Sequence, residues 1–146
     1  MRTSSATFSG TVAAPMELVF ALLTDPARIP LWLPGCREAS TNSNTLARNA
    51  RFTLHLSTAN GDRDIRAVVL EYSPPTTFGW AELAPRSDSK TFFKLQFGGA
   101  STHVTMKQVW TPGSWRAWLI GRLFRRRNTH RMFDGLLQNL RKALTR

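Results

Sequence analysis

A single cysteine, Cys36, occurs in the 146 residues, which excludes an internal disulfide and any multi-cysteine zinc site. Histidine is nearly as scarce. His55, His103 and His130 stand far apart, with no HExxH and no paired spacing, so neither a metal centre nor a cofactor is expected. Glycine-rich phosphate loops and nucleophile elbows are also missing. No apolar run approaches the ~18 residues of a spanning helix. The first apolar stretch is interrupted by Pro15 and Glu17 before it could form a secretory core. A soluble, cytoplasmic chain is the expectation, and the lone cysteine fits a reducing compartment. Repeats, low-complexity tracts and linkers are lacking too, so residues 1–146 read as one domain long enough to bury a core.

Acidic residues are the last shortage: 9 Asp and Glu against 20 Lys and Arg, a formal charge of +11. The imbalance is local. Residues 114–146 hold nine basic groups and one acid, Asp134, whereas the first 113 residues hold eleven and eight. The basicity belongs to the C-terminal segment.

What is present alternates. Thr7 to Val12 reads as a strand, and Ala14-Pro15 opens a helix with Met16, Val19, Phe20 and Leu23 on its apolar stripe. Thr24-Asp25-Pro26 ends it, and Asp25 can cap a short helical turn over Ala27 to Ile29. Pro30 to Gly35 reads as a rigid connection carrying Trp32. Strand patterns follow: a weak one over Arg37 to Ser40, then Phe52, Leu54 and Leu56 alternating with polar residues. After the turn at Asn60-Gly61-Asp62 come Ile65 to Tyr72 and, beyond Pro74-Pro75, Phe78 to Leu83. Pro85 to Ser89 is loop-like. Phe93, Leu95 and Phe97 form the next apolar face, and beyond Gly98-Gly99 so do Val104, Met106 and Trp110. Short turns between strands favour an antiparallel sheet. The predicted class is α+β: a curved antiparallel sheet of about six to seven strands, two short helices after the first strand, and one long helix over the concave face.

That helix opens at Thr111 or Ser114 as cap and runs to about Leu144. Counted at 100° per residue, Leu119, Phe133, Leu137, Leu140 and Leu144 fall on one stripe, and Arg122, Arg126, Thr129 and His130 interrupt its middle. Arg122, Arg126 and His130, spaced i, i+4, i+8, would present cationic and hydrogen-bonding groups to an acidic or carbonyl-bearing ligand. The competing reading turns them to solvent. The run Arg125-Arg126-Arg127 offers another use: Ile120 and Phe124, with Arg127 and Arg131 beside them, could rest on an anionic membrane surface or an acidic partner, and clustered basic charge also suits nucleic acid.

The segment from Ala14-Pro15-Met16-Glu17-Leu18-Val19-Phe20 through Thr24-Asp25-Pro26 to Trp32-Leu33-Pro34-Gly35, in this order of elements, resembles the START-like, Bet v 1-like superfamily. The nearest group is the polyketide cyclase/dehydrase and lipid-transport proteins, often called SRPBCC. The resemblance covers nearly the whole chain. It implies a helix-grip fold with a hydrophobic cavity, and it transfers no catalytic residue, because no catalytic signature runs through the superfamily.

Candidate cavity residues are Phe20, Trp32, Phe52, Leu54, Trp80, Phe93, Phe97, Met106, Trp110, Leu119 and Phe133, with Arg122, Arg126 and His130 as polar head-group contacts. The same aromatics would also fill an ordinary core. Acid–base chemistry would fall to His130, or to Glu82 if it faces inward with Trp80, although an exposed carboxylate is the commoner fate at a strand end. Three functions stay open: a carrier of a hydrophobic, lipid-like or polyketide-like molecule; a cyclase or dehydratase; and an adaptor acting on a membrane, RNA or ribosome through the basic helix.

Overall fold

The computed structural model describes residues 4–41, 46–58, 61–83, 89–110 and 115–144, with the backbone alone for residues 4, 58, 115–126 and 128. Seven strands form one antiparallel sheet: β1 (Ser4–Val12), β2 (Cys36–Thr41), β3 (Arg51–Thr58), β4 (Gly61–Ser73), β5 (Thr77–Glu82), β6 (Ser89–Gly98) and β7 (Ser101–Trp110). Their spatial order is β1-β7-β6-β5-β4-β3-β2. Successive strands from β2 to β7 are therefore neighbours. Only the passage from β1 to β2 crosses the molecule, and it carries α1 (Met16–Thr24), a 3₁₀ turn (Pro26–Arg28) and α2 (Ile29–Trp32). The long helix α3 (Trp115–Leu144) follows β7. This is the expected helix-grip architecture. Among the described residues no helix is long and apolar enough to cross a membrane.

Strand parity sets the two faces. Phe78, Trp80, Thr91, Phe93, Leu95, Val104 and Met106 are buried on the concave side, while intervening residues such as Lys90, Lys94 and Lys107 are exposed on the convex side. Register shifts in β2 (Cys36/Glu38) and β4 (Val69/Glu71) insert an extra residue and bend the sheet around α3. At the β6–β7 hairpin Gly99 takes φ 78°, a left-handed conformation natural to glycine.

Helix α1 begins after Pro15, an extended N-cap whose carbonyl accepts from the amides of Leu18 and Val19. Its last carbonyls need outside partners. The Trp32 indole N–H supplies one, donating to the Leu22 carbonyl at 3.0 Å. Asp25 caps the 3₁₀ turn through the Ala27 amide, as expected. The helix does not stop before Pro30, however. Proline sits in the first turn of α2, where its missing N–H would have had no partner anyway. Further differences concern ends: β4 starts at Gly61 rather than Ile65, and Ser89 is the buried first residue of β6 rather than loop. The expected loop at 85–88 and the helix cap at Thr111 or Ser114 lie outside the described residues.

The C-terminal half of α3 is held tightly. Phe133, Leu136 and Leu140 are buried at 0–2% exposure. Leu137 seats directly on Gly10 of β1, so closely that a β-carbon there would collide with it. The Arg141 guanidinium donates twice to the Thr11 carbonyl, at 2.9 and 3.1 Å. The Asn139 amide reaches the Trp32 carbonyl at 3.3 Å. Moving toward the N-terminus, Thr129 is buried and its hydroxyl donates to the Gln108 side-chain carbonyl at 3.1 Å.

Candidate functional site

A cavity of ≈ 140 Å³ lies between α3 and the concave face. Its floor is built from neighbouring strands: Leu54 and Leu56 of β3, Ile65 of β4, Trp80 and Glu82 of β5, Thr91 and Phe93 of β6, Met106 and Gln108 of β7. Met132 and Leu136 of α3 close one side, and Leu33 and Pro34 of the α2–β2 connection close another.

Trp80 is the centre of an aromatic group. Its ring meets Phe52 edge-on at 5.8 Å, Phe78 at 5.6 Å and Phe93 at 5.8 Å. Such packing adds orientation beyond area burial. The polar side chains adjoin this aromatic group. Thr91 stands between Trp80 and Gln108 in the register, and the Gln108 amide donates to the Thr91 hydroxyl at 3.4 Å. Together with Thr129 this makes a short polar row from sheet to helix. Glu82, one turn of pleat beyond Trp80, shares its inward parity. Its side chain is 16% exposed, and Arg63 of β4 meets it at 3.8 Å. The expected exposed carboxylate at a strand end is instead a cavity-wall group. An Arg partner is what permits burial of that charge.

Of the expected cavity residues, Leu54, Trp80, Phe93 and Met106 wall the cavity. Others are core. Trp32 is fully buried by its bond to Leu22, and Phe52 backs Trp80. Phe133 stacks on Phe8 at 6.0 Å. Trp110, 4% exposed, lies two residues beyond Gln108 on the same face and does not wall the cavity. Phe20 packs against Tyr72 at 5.4 Å and lines an open groove of ≈ 630 Å³ between α1 and the β4–β5 turn, on another part of the surface.

Two expectations are corrected. Phe97 has inward parity yet is 80% exposed. The β5–β6 register ends at Thr77 opposite Lys94, so Phe97 extends past β5 with a strand neighbour on one side only. His130 is exposed as well. It lies 5.1 Å from the Phe8 ring and 3.8 Å from Asp134, at the β1 flank of α3 rather than at the cavity. The side chains of Leu119, Arg122 and Arg126 lie outside the described residues.

Sequence reading missed Leu33, Pro34, Leu56, Ile65, Thr91, Gln108, Met132 and Leu136. Strand alternation could have found Leu56, Thr91 and Gln108, since each shares parity with a residue chosen on its own strand, and Ile65 is the cross-strand partner of Leu54. Cys36 is buried, its thiol reaching the Glu38 carbonyl at 3.4 Å, and burial raises its pKa above the usual thiol range. It is no activated nucleophile. The other histidine-bearing cluster, Ser40–His55–Asp64 (3.2 and 2.8 Å), crosses β2–β4 on the outer face, away from the cavity. Among the described residues no group of three His, Cys, Asp or Glu could hold a metal ion.

Solved structures share the fold at low identity. Protein NE0264 from Nitrosomonas europaea matches with a TM-score of 0.79 and 16% identity, covering 97% of this chain and 94% of its own. Ara h 8.0201 matches at 0.72 and 8%, over 99% of both chains. The di-domain ARO/CYC StfQ from the steffimycin biosynthetic pathway matches at 0.78 and 14%, over 98% of this chain and 51% of that one. Among curated proteins none matches. The sequence profile of one family, described as polyketide cyclase / dehydrase and lipid transport, matches residues 3–145. With that span covering almost all of a helix-grip chain, the protein belongs to the polyketide cyclase / dehydrase and lipid transport family.

Proposed function

We propose that this chain binds a hydrophobic small molecule between α3 and the concave sheet face. One observation carries the reading: a partly enclosed cavity walled by Trp80, Phe93, Leu54, Met106 and Leu136, with Thr91, Gln108 and Glu82 converging on it. Apolar walls with a few placed polar groups are the usual make-up of a ligand pocket. Family membership supports the same reading. At ≈ 140 Å³ the cavity is smaller than the ~300–1,000 Å³ of typical ligand sites. It therefore suits a single ring, or the end of a longer molecule whose remainder stays outside.

A second reading, a cyclase- or dehydratase-type enzyme, is favoured by one feature, the Glu82 carboxylate on the cavity wall. A carboxylate held beside apolar walls can take or return a proton at a bound ketone or hydroxyl.

Native mass spectrometry of gently purified protein, followed by solvent extraction, tests the first reading. A co-purifying hydrophobic molecule is expected, and Leu136→Trp, which fills the cavity, should abolish it while the fold persists. Protein that remains empty and fails to take up any of a panel of flat aromatic and fatty probes would overturn it. Glu82→Gln then separates the two readings. A carrier retains binding with no turnover to lose; an enzyme retains binding and loses turnover of the extracted molecule.

A further inference from the structure

The convex face of the sheet is uneven in charge. On β2–β4 acids and bases are mixed: Glu38, Asp62, Asp64 and Glu71 stand among Arg37, Arg51 and Arg66, with Asp62 paired to Arg37 and Asp64 to His55. On β5–β7 and β1 its described residues include no acid. There the register sets out three adjoining rows: Ser5–Val109–Lys90–Ala81, Thr7–Lys107–Phe92–Gly79 and Ser9–Thr105–Lys94–Thr77. Phe92 is at the centre. Lys107 lies directly across from it, and Lys90 and Lys94 stand about 7 Å away along its own strand. All three lysines are exposed, and among the described residues none is in an ion pair. Along the row of Phe92, the nearest carboxylate among the described residues is Glu71, beyond Gly79.

Gly79 explains the posture of Phe92. The ring occupies the space that a β-carbon at Gly79 would need, so it lies down over the β5 backbone. Phe92 is half-buried as a result, with one side against the sheet and the other open to solvent. Around it are small and hydroxyl-bearing residues, giving a low floor.

We propose that this face binds single-stranded nucleic acid, with a base stacked on Phe92 and phosphates met by Lys90, Lys94 and Lys107. Every base has a π-face, so a lone flat aromatic within a basic, small-residue floor is a sequence-tolerant platform. Ser5, Thr7, Ser9 and Thr105 can hydrogen-bond sugar and base edges. A duplex is disfavoured because its bases are already stacked and a convex surface cannot follow a rod. The platform is on the opposite side of the sheet from the cavity and works independently of it.

Fluorescence anisotropy with labelled oligonucleotides of about 12 residues, within the range of site sizes on such surfaces, tests this across stepped salt. Replacing Lys90, Lys94 and Lys107 together with Gln should reduce the slope of log K against log salt by about 2, from ~0.7 per phosphate contact. Phe92→Leu keeps apolar cover over Gly79 but removes the ring. It should weaken binding roughly 5- to 100-fold with the slope unchanged, whereas Phe92→Trp should restore affinity. Thermal melts of each variant confirm folding. The proposal is overturned by absent binding at low salt, by wild-type affinity in Phe92→Leu, or by an unchanged slope in the lysine variant. Equal competition by duplex or by anionic vesicles at matched phosphate would overturn it too, showing a general polyanion site.

Discussion

At the scale of single residues, Cys36 shows how burial converts a reactive group into an inert one. Its thiol is packed at the start of β2 and its pKa is raised by desolvation. The native state therefore keeps this proton to higher pH than the unfolded chain does. Below the usual thiol range both states are protonated and stability is flat; above it the unfolded state ionises first, and stability falls as pH rises. Urea midpoints measured from neutral to alkaline pH should show this decline, and Cys36→Ala should flatten the part of it due to this group. Alkylation at neutral pH should be slow until the protein is unfolded. From the sequence Cys36 could be a small buried residue or a rim one, and its partner, the Glu38 carbonyl, depends on the bulge that separates Cys36 from Glu38. No composition or periodicity announces a bulge.

Among the elements, α3 is the most informative. Its length, its caps aside, was legible from the 3.6-residue period, and so was the burial of Phe133, Leu137 and Leu140. The rotation of its face was not. The buried set is Thr129, Phe133, Leu136, Leu137 and Leu140, centred roughly 20–40° away from the expected stripe when counted at 100° per residue. That turn brings Met132 and Leu136 to the cavity and moves His130 to the β1 flank. His130 and Leu137 share that flank, but only Leu137 has Gly10 to sink into. Sequence alone specifies which residues are apolar, and the partner's surface decides which of two adjoining stripes goes in. The strands were easier because a period of two leaves only two choices. Even so Phe97 obeyed its parity and stayed exposed, since strand ends depend on how far the neighbour extends. At this scale Arg141→Met should retain the aliphatic stem and lose both bonds to the Thr11 carbonyl, costing about 1 kcal/mol in denaturant unfolding. Hydrogen exchange should quicken first in the last turns of α3.

Over the whole molecule, charge is unevenly distributed. The net +11 works against compaction through self-repulsion, and much of it resides in one helix. Moderate sodium chloride should therefore raise the thermal midpoint before any salting-out effect sets in, as screening shortens the reach of that repulsion to ~10 Å near 0.1 M. A midpoint that fell across that range would show that ion pairs such as Arg28–Asp25 and Arg37–Asp62 outweigh the repulsion. The general fold was legible because each strand and helix is locally consistent with it. The cavity was less so, because volume is a difference between two packed surfaces.

The seat of Leu137 on Gly10 makes β1 a fulcrum. Together with the clamps at Arg141 and Asn139, it sets how near α3 lies to one side of the sheet, while the gap at Met132 and Leu136 remains on the other. Cavity capacity is thus governed partly from outside the cavity. A methyl group added at position 10 would press on the Leu137 side chain as a wedge under the lever, and the cavity volume would change without any wall residue being replaced.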